Sequence, residues 1–92
     1  MNNKKISEDF MNEVFLIIRV KEINYKFSIQ KNTNAICNIV AILKNNSVIN
    51  LIAYNEMADK CLKLIKQKRF YYIEGMINSN MNIVIKDIHK KY

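Results

Sequence analysis

Val48-Ile49-Asn50-Leu51-Ile52-Ala53-Tyr54, followed at once by Asn55-Glu56-Met57-Ala58-Asp59, is the passage on which the fold turns. Its first half is apolar and β-branched, which predicts a strand that closes on an aromatic. At Asn55 the chemistry changes. Asn is a helix N-cap residue, Glu56 and Asp59 fall in the first turn, and Lys63, Lys66 and Lys68 fall in the last, the distribution a helix dipole favours. Ala58, Cys61, Leu62 and Ile65 make one apolar stripe, so the spacing predicts an amphipathic helix of about three turns.

Working outward, the chain has no Pro and one Gly, so asparagine clusters supply the punctuation. Val14 to Lys21 predicts a first strand, with Tyr25-Lys26-Phe27-Ser28-Ile29 its continuation or a short separate piece. Lys31-Asn32-Thr33-Asn34 reads as a turn, Ala35 to Leu43 as a second strand, and Lys44-Asn45-Asn46-Ser47 as a tight hairpin connection into the third. Beyond the helix, Phe70 to Glu74 predicts a fourth strand ended by Gly75, Asn78-Ser79-Asn80 a turn, and Met81 to Ile88 a fifth strand. Three strands, a helix and two more strands is the element order of the oligonucleotide-binding (OB) barrel, an all-β fold whose one helix sits between strands three and four. We expect one domain over residues 13–89, with a polar N-terminal tail over 1–12 and a basic end over 90–92.

Composition narrows the function classes. Fifteen Lys and Arg against eight Asp and Glu give a formal charge of +7 on 92 residues, which favours an anionic partner, nucleic acid being the commonest. Asn, Ile and Lys supply 43 of the 92 residues, and Lys outnumbers Arg by 13 to 2. All three have A/T-rich codons, so part of the lysine content reflects an AT-rich genome such as an organelle's. The longest apolar run, Val14-Phe15-Leu16-Ile17-Ile18, stops at Arg19, far short of the ~20 residues a membrane-spanning helix needs. No signal-peptide pattern opens the chain, so secretion is not expected. Cys37 and Cys61 stand apart with no Cys-x-x-Cys and a single His, which suggests neither a zinc site nor a disulfide framework. They read as small core residues in a reducing compartment.

At the helix the sequence becomes specific. Tyr54-Asn55-Glu56-Met57-Ala58-Asp59, and after an interval Phe70-Tyr71-Tyr72-Ile73-Glu74-Gly75, resembles the bacterial and organellar single-stranded DNA-binding proteins (SSBs) in its aromatic end to strand three, its helix opening and its fourth-strand motif. Ala35-Ile36-Cys37-Asn38-Ile39-Val40-Ala41 is similar to the family's second strand, and the size resembles that of small SSB-like proteins encoded in some algal plastids. The resemblance implies non-sequence-specific binding of single-stranded DNA, or RNA, in replication, repair or recombination. It also implies a homo-oligomer, in a plastid or a bacterial-type cytoplasm, with no cofactor and no small-molecule substrate. Three departures stand out. Gln67-Lys68 replaces the usual Lys-Gly after the helix, removing a left-handed cap. The loops between strands two and three and between strands four and five are cut to about four residues, which implies a short footprint. The end is basic where SSBs carry an acidic tail.

Strand alternation puts Cys37, Ile39, Ala41, Ile49, Leu51 and Ala53 inside the barrel, and Asn38, Val40, Ile42, Val48, Asn50, Ile52 and Tyr54 outside. By the resemblance the outer face takes DNA, with Tyr54 at a stacking position, Asn50 at a polar or basic contact, and Val48 where many SSBs carry Trp. The alternative reading of Tyr54, weighed below stacking, is an aromatic plug at the barrel mouth. Tyr25 and Phe27, interleaved with Lys21, Lys26 and Lys31, read as a basic-aromatic binding cluster or as core residues closing the barrel. Arg19, Lys44 and Lys86 complete the candidate cations, while Lys60, Lys63 and Lys66 read as a solvent face of the helix. His89 lacks a carboxylate partner nearby in the pattern, Glu74 belongs to the strand motif, and no paired carboxylates, phosphate loop or nucleophile triad occurs, so an enzyme is not expected. The alternative function is a protein-interaction or oligomerisation module with reduced nucleic-acid binding, motivated by the apolar outward set Val40, Ile42, Val48 and Ile52.

Overall fold

In the computed structural model, residues 12–28, 34–66 and 69–91 are described. Residues 1–11 of the expected tail, Ile29, the turn residues Lys31, Asn32 and Thr33, the Gln67-Lys68 pair and Tyr92 lie outside them. Five strands, β1 (Glu13–Ser28), β2 (Asn34–Ile42), β3 (Val48–Tyr54), β4 (Phe70–Ile77) and β5 (Ile83–Lys90), close into a barrel in the order β1-β2-β3-β5-β4, with one helix, α1 (Asn55–Leu64), between β3 and β4. The element order and the single inserted helix agree with the sequence reading.

β1 is one strand that serves two neighbours. Its first half pairs with β4 from Glu13–Met76 to Arg19–Phe70, and its second half pairs with β2 from Arg19–Ile42 to Ser28–Asn34, both antiparallel. Just past Arg19, within the β2 pairing, the register shifts between Val20 and Glu22, so that Lys21 is an extra residue. Such a bulge bends a strand and strengthens its twist, which lets β1 turn the corner of the barrel. The closure is thin. β3 and β5 run parallel and pair only at Leu51–Ile83 and Ile52–Val84.

Alternation fills the interior as expected. Cys37, Ile39, Ala41, Leu51 and Ala53 are buried, joined by Ile18 and Val20 from β1, Tyr71 and Ile73 from β4, and Ile85 and Ile88 from β5, while Ile49 is partly buried against them. The helix contributes Ala58 and Cys61, with Met57 and Leu64 at its flank. Leu62, expected in that stripe, is exposed. At 100° per residue it lies about 100° from the centre of the face set by Met57, Ala58, Cys61 and Leu64, so it points away from the core.

Both helix ends differ from expectation. The N-cap residue is Tyr54, extended and without a side-chain cap, while Asn55 adopts φ 52° and turns its Oδ1 to the Ala35 N–H at 3.3 Å. Asn tolerates the left-handed region, and here it ties the helix start to β2. The helix stops at Leu64, so Lys66 lies beyond it, and Ile65 is extended. The buried Tyr71 hydroxyl accepts from the Lys66 N–H at 2.7 Å and donates to the Leu64 carbonyl at 3.1 Å. A side chain from β4 thus satisfies terminal groups that a glycine cap would otherwise serve.

Gly75 does not end β4. It lies within the strand beside the Glu74/Gly75 register shift, where an added Cβ would sit 2.7 Å from the Val84 carbonyl oxygen. β5 begins at Ile83, not Met81, and runs to Lys90. The β2–β3 and β4–β5 connections share one geometry: Asn46 N–H to Leu43 O and Leu43 N–H to Ser47 O in the first, Met81 N–H to Asn78 O and Asn78 N–H to Asn82 O in the second. Each places its fourth residue in the left-handed region, Asn46 at φ 67° and Met81 at φ 63°. That left-handed fourth residue is why Met81 belongs to the loop and not to the strand. Among the described residues no helix is long and apolar enough to cross a membrane.

Candidate nucleic-acid interface

Directly paired residues of antiparallel strands share a face, so the register lays out the outer wall row by row. Tyr54, Ile36 and Lys26 form one row; Ile52, Asn38 and Asn24 the next; then Asn50 and Val40 opposite Glu22; then Val48, Ile42 and Arg19. Along β3 the wall runs from Tyr54 to Val48, ~20 Å at ~3.3 Å per residue. Tyr54 is 44% exposed at one end and Val48 57% exposed at the other, so Tyr54 is not buried as a plug in the barrel interior.

Cations edge this wall. Lys26 and Arg19 stand at outward β1 positions, and Lys21, as the bulge residue, opposes Val40 together with Glu22. Lys44 lies in the connection at the Val48 end. Lys86 is the extra residue of the β5 irregularity, exposed on the neighbouring strand. The geometry therefore brings Tyr54, Asn50, Lys26, Lys21, Arg19 and Lys44 to one wall and its border. Lys31 lies outside the described residues.

Tyr25 and Phe27 fall on the other side of the sheet. They pair with Cys37 and Ala35, whose side chains are buried, so β1 turns them to the face opposite Lys26, where Tyr25 is half-buried and Phe27 stays 56% exposed. The bulge at Lys21 is the cause: one extra residue reverses the phase of every position after it. The Tyr25 hydroxyl donates to Asp59 Oδ1 at 2.6 Å, linking β1 to the helix, and that carboxylate raises the phenol's pKa above its ordinary value.

Sequence reasoning missed the wall where β1 meets β4. Phe15 pairs with Glu74, Ile17 with Tyr72 and Arg19 with Phe70, and Tyr72 in turn pairs with His89. Phe15, Ile17, Phe70 and Tyr72 are all exposed, Phe15 at 71%. The signal was present in β1, where apolar residues occupy both phases from Val14 to Ile18, a pattern expected of a strand covered on both sides. His89 has a carboxylate partner after all: Asp87 holds it at 3.0 Å and Lys60 of the helix at 2.6 Å. The Lys60 hydrogen bond, aided by the Ile88 N–H, lowers the Asp87 pKa.

Both cysteines are free and buried, and desolvation pushes Cys37 to about 11 and Cys61 to about 12. Thiols that stay protonated are poor nucleophiles. Among the described residues no group of His, Cys, Asp and Glu could hold a metal ion.

Solved structures share this architecture. The SSB domain of a Synechococcus protein matches with TM-score 0.72 at 18% identity, over 86% of this chain and 94% of that one. The barrel is an OB fold. The mitochondrial single-stranded DNA-binding protein Rim1 of S. cerevisiae matches with TM-score 0.65 at 17% identity, over 88% of this chain and 94% of its own. The single-stranded DNA-binding protein of Thermus aquaticus, as a deletion mutant, matches with TM-score 0.74 at 11% identity, over 89% of this chain and 42% of its own. No protein-family model matches the sequence, and no curated protein matches it.

Proposed function

We propose that this SSB-type OB barrel binds single-stranded nucleic acid without sequence selectivity, laid across the β2–β3 wall. The observation that carries the reading is the half-exposed ring of Tyr54 in one row with Lys26, on a wall bordered by Lys21, Arg19 and Lys44. An aromatic face accepts any base, and flanking cations neutralise the backbone. The SSBs among the structural matches support the same reading at the level of fold. Single-stranded DNA is the partner we favour, with RNA the competitor to be compared, and the work we assign is replication, repair or recombination in an organelle or bacterial-type cytoplasm. Titration of oligo(dT) and oligo(U) at several salt concentrations tests it. Log affinity should fall with log salt at about −0.7 per phosphate neutralised. No binding at low salt, or binding indifferent to salt, would refute it.

A second reading concerns assembly. Phe15, Ile17 and Tyr72 leave an exposed apolar strip along β1 and β4, and contiguous apolar surface marks interaction sites. We propose that this strip joins copies of the chain into a homo-oligomer, which would raise avidity for a long strand beyond that of one short wall. Analytical ultracentrifugation across concentration tests it.

A further inference from the structure

Where the two outer walls meet, a cavity of about 550 Å³ opens between β1, β2, β4 and the β2–β3 connection, its lining including the apolar Ile17, Ile42 and Phe70 and the cationic Arg19, Lys44 and Lys91. Arg19 is its hinge, pairing with Ile42 on one side and Phe70 on the other. Lys91 is held there by its backbone, whose N–H donates to the Phe70 carbonyl at 3.1 Å, and its Nζ lies 5.9 Å from the centre of the Tyr72 ring. We infer that this cavity is a second nucleotide pocket for the same single strand, the base set against the ring of Phe70 and the adjoining phosphates held by Arg19, Lys44 and Lys91. The inference rests on the single-strand reading above and extends it around the barrel.

Charge selects the occupant. Three cations among apolar lining residues suit a nucleotide, which offers an aromatic plane and an anion together. The strip assigned to self-association carries Glu74 and His89 in its rows instead, so the two surfaces differ in kind although Ile17 borders both. The position also fits. The cavity lies at the Val48 end of the β2–β3 wall, ~20 Å from Tyr54, so a strand leaving the tyrosine meets it after a few nucleotides. It offers an aromatic near the end of the wall where Val48 presents none.

The test uses the whole chain and a dodecamer of oligo(dT), with Phe70→Leu, which keeps an apolar side chain but removes the ring, Lys44→Ala in the exposed connection, and Tyr54→Ala. Urea midpoints and sedimentation are recorded for each. Phe70→Leu is expected to weaken binding by about 5- to 150-fold, as loss of a stacked base does, with the midpoint and oligomeric state unchanged. Lys44→Ala should lower the salt slope by about 0.7. Ultraviolet cross-linking of the dodecamer should mark peptides containing both Tyr54 and Phe70. Wild-type affinity in Phe70→Leu, while Tyr54→Ala is weakened, would overturn the pocket and leave the single-strand reading standing. Altered sedimentation of Phe70→Leu would make the cavity a subunit contact and overturn it. Polyglutamate binding that Phe70→Leu abolishes, with oligo(dT) binding intact, would do so in favour of an acidic protein partner. Failure of the wild type to bind oligo(dT) at all would remove both readings together.

Discussion

The β2–β3 wall and the β1–β4 wall are outer surfaces of one barrel and share β1, yet they present different chemistry. The first has one aromatic, Tyr54, among Asn38, Asn50 and half-buried aliphatics, with a border of cations; the second has Phe15, Ile17, Phe70 and Tyr72 exposed, with Glu74 and His89 beside them in its first two rows. Equal strand geometry does not give equal surfaces. A sparse, polar, cation-edged wall suits a flexible anion that must slide and exchange, while a dense apolar strip suits a fixed partner that excludes water. Arg19, paired to both β2 and β4, is where the one gives way to the other.

The largest test lies beneath the first wall. Ile39 is fully buried between outward Asn38 and Val40, and Ile39→Ala should cost about 2–5 kcal/mol of stability, read as a shifted urea midpoint. Binding per folded molecule should stay unchanged; a selective loss of affinity would mean that the walls are not separable from the core.

Next comes the contrast itself. Tyr54→Ala should remove about 1–3 kcal/mol of oligo(dT) binding, roughly 5- to 150-fold, with little loss of stability because the ring is half in water. Tyr72→Ala should weaken self-association by sedimentation and leave the affinity of a short oligonucleotide near wild type. Exchange of these two outcomes would swap the roles of the walls.

A smaller effect separates inward from outward on β4. Tyr71 lies between exposed Phe70 and Tyr72 but faces the core and binds the helix end. Tyr71→Phe should lower stability by about 1 kcal/mol through its lost hydrogen bonds and change neither binding nor assembly.

The smallest concerns acid. Asp87 is held below the usual carboxylate range by Lys60, so it stabilises the fold above its unfolded pKa of ~3.9 and loses that contribution as pH falls through the lower folded value. Lys60→Ala should flatten the acid limb of stability below about pH 4. The pair is exposed and water-screened, so the change should stay well under ~1 kcal/mol at neutral pH.

How much was legible in the sequence follows from the range of the physics involved. Local rules determined the strands, the helix and the barrel class: β-branched alternation placed Cys37, Ile39, Ala41, Leu51 and Ala53 inside, and the aromatic at Tyr54 outside, because a side-chain period of two is fixed by the backbone of each strand alone. Contacts between distant segments decided the rest. The bulge at Lys21 bends β1 between two partners, and it set Tyr25 and Phe27 on one face of the strand and Lys26 on the other. Tyr71 replaced a glycine cap from the next strand, and Asn55 was drawn from capping its own helix to bonding Ala35. The cavity of Arg19, Phe70 and Lys91 gathers residues from both ends of the chain. A sequence carries the period of each strand, but the register at which strands meet is set only when the barrel closes.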